Sequence, residues 1–140
     1  MILFCDTSAF VKLYVQEEGG DAVLEQAAAS DAVAVCRIGW VQMMSAMARR
    51  SREVPEDEPA LNRARRRVAA DWPHHLTLDI TQALVELAGD YAEAFALRAC
   101  HSVQLAAVQT AHREMPGDVK FACFDACLLK AARILGIELA

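Results

Sequence analysis

Apolar residues along this chain follow two rhythms. Residues 1–5, Ala32-Val-Ala-Val-Cys36, Leu76-Thr-Leu78 and residues 119–123 are short apolar runs, each bounded by polar or turn residues. Runs of that length and composition predict buried strands. Between them the apolar positions recur at helical spacing, most clearly as Trp40, Val41, Met44, Met47 and Ala48 within 38–52. Thr7 or Ser8 caps a first predicted helix running to Gln16, and Asp21 caps a second over 22–29 after the Glu18-Gly19-Gly20 break. Val54-Pro55 ends the helix of 38–52, and a second helix over 57–71 completes a hairpin that Trp72-Pro73 closes. Further helices are predicted over 80–96, 101–114 and 124–135, with a turn at Met115-Pro-Gly-Asp118. Gly136 fits a C-terminal cap, and Ile137-Glu-Leu139 reads as an added edge strand.

Strands that alternate with helices predict an α/β chain, its sheet mainly parallel and covered by helices on both faces. No repeat, low-complexity stretch or interdomain linker interrupts the 140 residues, so one domain over 1–140 is expected.

Composition narrows the class. Apolar residues make up 55% of the chain, yet no apolar run reaches the roughly 18 residues a membrane span needs. The N-terminus lacks a basic region followed by an apolar stretch and a cleavage site, so a cytoplasmic location is expected. Five cysteines, an odd number without a Cys-x-x-Cys pair, argue against a disulfide framework and against a zinc site built on cysteine. A net charge of −5 argues against binding polyanions by bulk electrostatics. The arginines are nevertheless clustered, as Arg49, Arg50 and Arg52 and as Arg63, Arg65, Arg66 and Arg67, on either side of an acidic segment. Such clusters are either a solvated helix face or a rim that contacts phosphates.

The candidate chemistry lies in two aspartates. Asp6 follows the first predicted strand and Asp125 the last. Side chains just past the carboxyl ends of parallel strands converge on one crevice, and paired carboxylates suit a hard divalent cation. Each aspartate also suits the N-cap of the helix that follows it.

Four segments carry a resemblance over nearly the whole chain: Ile2-Leu-Phe-Cys-Asp6-Thr7-Ser8, the stretch Arg37 to Arg50, the stretch Leu97 to Ala106, and the segment around Asp125. In order and spacing they resemble the PIN domain, and specifically the VapC-type ribonuclease toxins of bacterial toxin–antitoxin systems. The resemblance implies a three-layer α/β/α PIN-like domain with a short, mainly parallel central sheet. It implies a metal-dependent endoribonuclease that hydrolyses RNA phosphodiester bonds with Mg²⁺ or Mn²⁺ held by four acidic residues. Asp6 matches the first acidic position and Asp125 the last. Gln42 stands where the family has glutamate, and His101 where it has aspartate.

Those two departures matter physically. Two unit charges about 4 Å apart interact by roughly 4 kcal/mol at an effective dielectric of about 20, so losing two carboxylates weakens a dication site. Gln42 keeps a carbonyl oxygen and is expected to act as a hydrogen-bonding neighbour. The His101 nitrogen suits Mn, Fe, Ni or Zn better than Mg. One ion on Asp6, Asp125 and His101 is expected rather than a symmetric pair. Thr7, Ser8, Arg49 and Arg50 are the substrate-contacting candidates; Thr7 and Ser8 suit helix caps equally well. Trp40, Met43, Met44 and Met47 read as core or interface, and His74, His75 and His112 lack ligand spacing.

The implied partners are RNA, a cognate antitoxin protein and a second copy of the chain in a homodimer. Two other functions compete: a catalytically degenerate PIN domain that binds RNA or protein, and a small metal-binding or phosphatase-like α/β domain that needs only the two aspartates.

Overall fold

β1 (Ile2–Cys5) is the strand around which the rest is arranged, and all four of its residues are buried. Alternate side chains point to opposite faces of a strand, and both faces of β1 are apolar. Ile2 and Phe4 enter one core cluster, Leu3 and Cys5 the other. In the computed structural model, which describes residues 1–140, the order is β1, α1 (Thr7–Phe10), α2 (Gly20–Ala29), β2 (Ala32–Cys36), α3 (Ile38–Glu53), α4 (Glu58–Asp71), β3 (Leu76–Leu78), α5 (Gln82–Phe95), α6 (Ala99–Glu114), β4 (Val119–Ala122) and α7 (Ala126–Ile134).

The strands form one sheet in the order β3-β2-β1-β4, and every neighbouring pair is parallel. Phe4 lies opposite Ala34 on one side and Phe121 on the other. Helices α5, α6 and α7 cover the Phe4 face, and α1 to α4 cover the Leu3 face. The three-layer α/β/α arrangement is therefore as the sequence implies. On the Leu3 face, Met43 and Met47 of α3 and Leu61 and Val68 of α4 are fully buried, so the helical hairpin closes that layer. Trp40 is half-exposed and packs edge-on against Trp72, 5.2 Å between ring centres.

Several boundaries differ from the sequence reading, each for a tertiary reason. The first helix stops at Phe10 and tightens into a 3₁₀ turn over Val11–Leu13 instead of reaching Gln16. Tyr14 leaves the helical path, stacks on Phe10, and bonds Asp71 and His75 through its hydroxyl at 3.0 and 2.9 Å. α2 is capped by Gly19 at φ +81°, and Asp21 sits inside its first turn, where a carboxylate favours the helix dipole. Thr81 caps α5 by accepting the Leu84 N–H, so that helix begins at Gln82. α6 begins at Ala99, which places His101 inside its first turn. α7 begins at Ala126 because Asp125 caps it. Gly136 takes the expected left-handed conformation at φ +75°. The expected strand over 137–139 is reduced to a single parallel bridge between Leu139 and Phe121.

Phe4 is fully buried and meets Phe121 edge-on at 6.0 Å. Phe4→Ala is expected to cost about 3–5 kcal/mol in urea unfolding, the range for a large side chain lost from a packed core. Leu24→Ala, at an exposed position of α2, is the control and should stay within about 0.5 kcal/mol of the parent.

Candidate functional site

The site is built at the carboxyl ends of the two central strands. Beyond Cys5 the Asp6 N–H donates to the Ala122 carbonyl at 3.2 Å, which extends the β1–β4 pairing by one residue. The chain then turns into α1 with Asp6 as its N-cap. Asp6 Oδ1 accepts the Ala9 N–H at 3.1 Å and the Ser8 hydroxyl at 2.7 Å, and Oδ2 accepts the Cys123 thiol at 3.3 Å. The residue is only 2% exposed. Burial pushes its carboxyl pKa above the ordinary aspartate value, while the bonds from Ser8, Ala9 and Cys123 and the charge of His101 pull the other way.

Asp125 occupies the equivalent place after β4. Its Oδ1 accepts the Leu128 N–H at 2.8 Å as the cap of α7. Its Oδ2 lies 4.0 Å from His101 Nδ1 in the first turn of α6. Cys123 joins the two aspartates, because its sulfur donates to Asp6 and accepts the Asp125 N–H at 3.3 Å. Burial raises the Cys123 pKa, so this sulfur is a thiol donor rather than a thiolate. Capping and convergence are thus compatible roles for both aspartates: one oxygen of each serves the helix, while the other meets the Cys123 thiol in Asp6 and faces His101 in Asp125.

Beside the aspartates is a network of neutral groups. Gln42 Oε1 accepts the Thr7 hydroxyl at 2.7 Å and the Gln104 amide at 2.8 Å, and Gln104 Nε2 also lies 3.2 Å from Thr7 Oγ1. Gln104 is 1% exposed and its Oε1 has no partner. Turning that amide round would bury two unpaired donors in place of one unpaired acceptor, so this orientation is the less costly one. With its oxygen committed to Thr7 and Gln104, Gln42 has its Nε2 left for the pocket.

Asp6, Thr7, Ser8, Gln42, His101 and Asp125 all line one cavity of about 170 Å³, together with Gln104 and Phe124. A shallower groove of about 590 Å³ shares Thr7, Ser8, Gln42 and His101 and continues along α3 past Ser45 to Arg49. Arg50 is elsewhere. Its guanidinium is held by Asp57 at 3.1 Å and Glu17 at 3.7 Å, and it lines a separate cavity with Tyr14 and Leu61. Of the second arginine cluster, Arg65 bonds Asn62 and Arg67 lies over the Tyr14 ring. The largest cavity, about 810 Å³, lies by β3 among Asp79, Glu86, Asp90 and Glu114 and contains none of the predicted site residues.

Sequence reading missed Gln104, Cys123 and Phe124. Gln104 stands three residues after His101 on one helix, a spacing that puts both on one face. Cys123 and Phe124 flank the turn into Asp125, but their exposure depends on tertiary contacts. The five cysteines are all free, with Cys5 and Cys36 buried and Cys100 and Cys127 exposed.

The donor set bears on the metal. No three of the His, Cys, Asp and Glu side chains come together as a ready-made coordination shell. Two carboxylates, Asp125 with its Oδ2 bound to no hydrogen-bond donor and Asp6 with its Oδ2 accepting only the weak Cys123 thiol, fit a Mg²⁺-like ion that draws its other ligands from water and substrate phosphate, the habit of that cation. They do not fit a pair of ions, for which Gln42 and His101 supply no negative charge. The expected ligand His101 has its Nδ1 4.0 Å from Asp125 Oδ2.

Compared with known protein families, residues 3–140 match the PIN domain. No curated protein gives a match. PIN domains are generally nucleases and typically use divalent metal ions.

The raised pKa of Asp6 has a stability consequence in chelator. A group whose folded pKa lies above its unfolded value stabilises the fold below the unfolded pKa, and that contribution is lost as pH rises through the folded value. Asp6→Asn keeps an acceptor for Ala9 and removes the buried charge. Its Tm is therefore expected to exceed the parent's by a few degrees at neutral pH, with the gap narrowing as pH falls through the raised folded pKa and closed below pH of about 4. Thermal unfolding across that range checks this.

Proposed function

The chain belongs to the PIN-domain family, and we propose that it is a metal-dependent endoribonuclease of the VapC toxin type, acting at the Asp6–Asp125 cavity. The observation that carries this reading is the convergence of the two aspartates, from the exits of β1 and β4, with Thr7, Ser8, Gln42 and His101 around one opening. Asp6 and Asp125 hold a single Mg²⁺ or Mn²⁺. When bound, that ion supplies charge neutralisation at the scissile phosphate and an acidified water.

The remaining roles belong to the chain's own groups. Gln42, its oxygen engaged by Thr7 and Gln104, donates its Nε2 to a phosphate oxygen and no longer acts as a ligand. His101 orients the open oxygen of Asp125. Arg49 meets the RNA backbone in the groove that extends the cavity. Arg50, tied to Asp57 and Glu17, is given no substrate contact. No helix is long and apolar enough to cross a membrane. A cytoplasmic setting, a cognate antitoxin and a homodimer complete this reading through the family resemblance.

The second reading is a catalytically degenerate PIN domain that binds RNA or protein. The Thr7–Gln42–Gln104 network favours it, because neutral amides there lower the attraction for a cation.

RNA cleavage by the purified chain separates the two. The nuclease reading expects cleavage in Mg²⁺ or Mn²⁺ that falls at least about 100-fold in Asp6→Asn, the scale of losing a group that stabilises charge in the transition state. It further expects Gln42→Glu/His101→Asp to cleave faster at low metal concentration. A parent chain without cleavage in either metal, alongside an active double variant, would establish the binding-module reading.

A further inference from the structure

One side chain of the cavity does not belong to its chemistry. Phe124 is the only apolar residue that lines it, and it is 47% exposed. It enters neither of the two core clusters, so neither core accounts for a large aromatic ring at that position. Yet it is firmly held. Its backbone N–H donates to Ser8 Oγ at 2.8 Å, the same hydroxyl that donates to Asp6. Its ring rests against Gly19, where an added Cβ would come within 2.8 Å of Cε1. Gly19 also has φ +81°, so both its backbone conformation and the close approach of the ring call for glycine. The Lys12 ammonium sits 4.6 Å from the ring centre and is itself held by Glu17 at 3.1 Å.

An exposed, immobilised aromatic ring one residue from a carboxylate of the site is what an unpaired base needs as a platform. We propose that Phe124 is a stacking platform for an unpaired nucleobase beside the scissile phosphate. This rests on the nuclease reading above and adds the residue that positions the substrate's base. Every base offers a π-face, and stacking on an aromatic side chain is favourable and tolerant of sequence. Bases inside a duplex are already stacked on one another and are withheld from such a ring. Lys12 adds a positive charge against the ring, and its pairing with Glu17 keeps it there. Phe124 positions substrate; the reacting groups remain Asp6 and Asp125.

The test is binding of a 2-aminopurine-labelled single-stranded RNA, and of the same strand annealed to its complement, in Ca²⁺. The proteins are the parent chain, Phe124→Leu and Phe124→Trp. Because the side chain is exposed, both variants should fold as the parent does, and circular dichroism checks it. The parent and Phe124→Trp should bind the single strand and quench the 2-aminopurine. Phe124→Leu should bind it roughly 5- to 100-fold more weakly, the span of one lost base stack, and the duplex should bind weakly to all three. Equal affinity and quenching in Phe124→Leu, or duplex binding as tight as single-strand binding, would overturn the platform while leaving the nuclease reading in place. Absence of RNA binding by the parent would overturn both.

Discussion

A carboxylate buried at the end of the central strand is the constraint from which the rest of the site follows. Asp6 is almost wholly withdrawn from water, and a buried charged group is costly unless its oxygens are satisfied. Each of the partners that satisfy it fixes another piece of the structure. The Ala9 N–H sets the start of α1, the Ser8 hydroxyl ties that helix to the Phe124 backbone, and the Cys123 thiol ties Asp6 to the turn that presents Asp125. Because β1 lies beside β4, this one position is tied to both α1 and the exit of β4. Asp6 keeps an unfavourable burial because the fold around it is over-determined, and such stored cost is common at functional sites.

The same argument bears on the neutral groups beside the aspartates. Where the resemblance places glutamate and aspartate, Gln42 and His101 reduce the negative charge that would surround the aspartates. Among its buried atoms the Thr7–Gln42–Gln104 network leaves one Gln104 oxygen without a partner, so it holds together without a cation. On the nuclease reading proposed above, such a site would lose affinity for a second ion and gain an amide donor on the phosphate side. Phe124 then belongs to the same design. A site that pulls less on phosphate through its metal benefits from a base held by stacking, which carries no charge and is insensitive to the missing carboxylates.

Much of this was legible in the sequence, and the exceptions share a cause. The four short apolar runs became the four strands, because strand length and flanking turns are local properties. The α3–α4 hairpin followed from the helical spacing of Trp40, Val41, Met44, Met47 and Ala48 and from the Val54-Pro55 break, although the buried face turns on Met43 and Met47 and leaves Val41 exposed. Asp6 and Asp125 were found because parallel topology forces strand exits together, which is a rule of folds rather than of local sequence. Tyr14 was not legible: it leaves the helix to reach Asp71 and His75, and both lie far along the chain. Gly19 looked like punctuation, and its actual work, holding a left-handed turn against the Phe124 ring, needs two segments placed side by side. Arg50 looked like its neighbour Arg49, yet Asp57 and Glu17 draw it into a different cavity. In each case a long-range contact overrode the local pattern.

The claim that most needs a direct measurement is that two carboxylates hold one ion. Titrating Mn²⁺ into the chain in the presence of single-stranded RNA, with free Mn²⁺ followed by electron paramagnetic resonance, counts the bound ions. One Mn²⁺ per chain, abolished in Asp125→Asn, is the result this account predicts. Two ions per chain, or an occupancy that Asp125→Asn leaves unchanged, would contradict it.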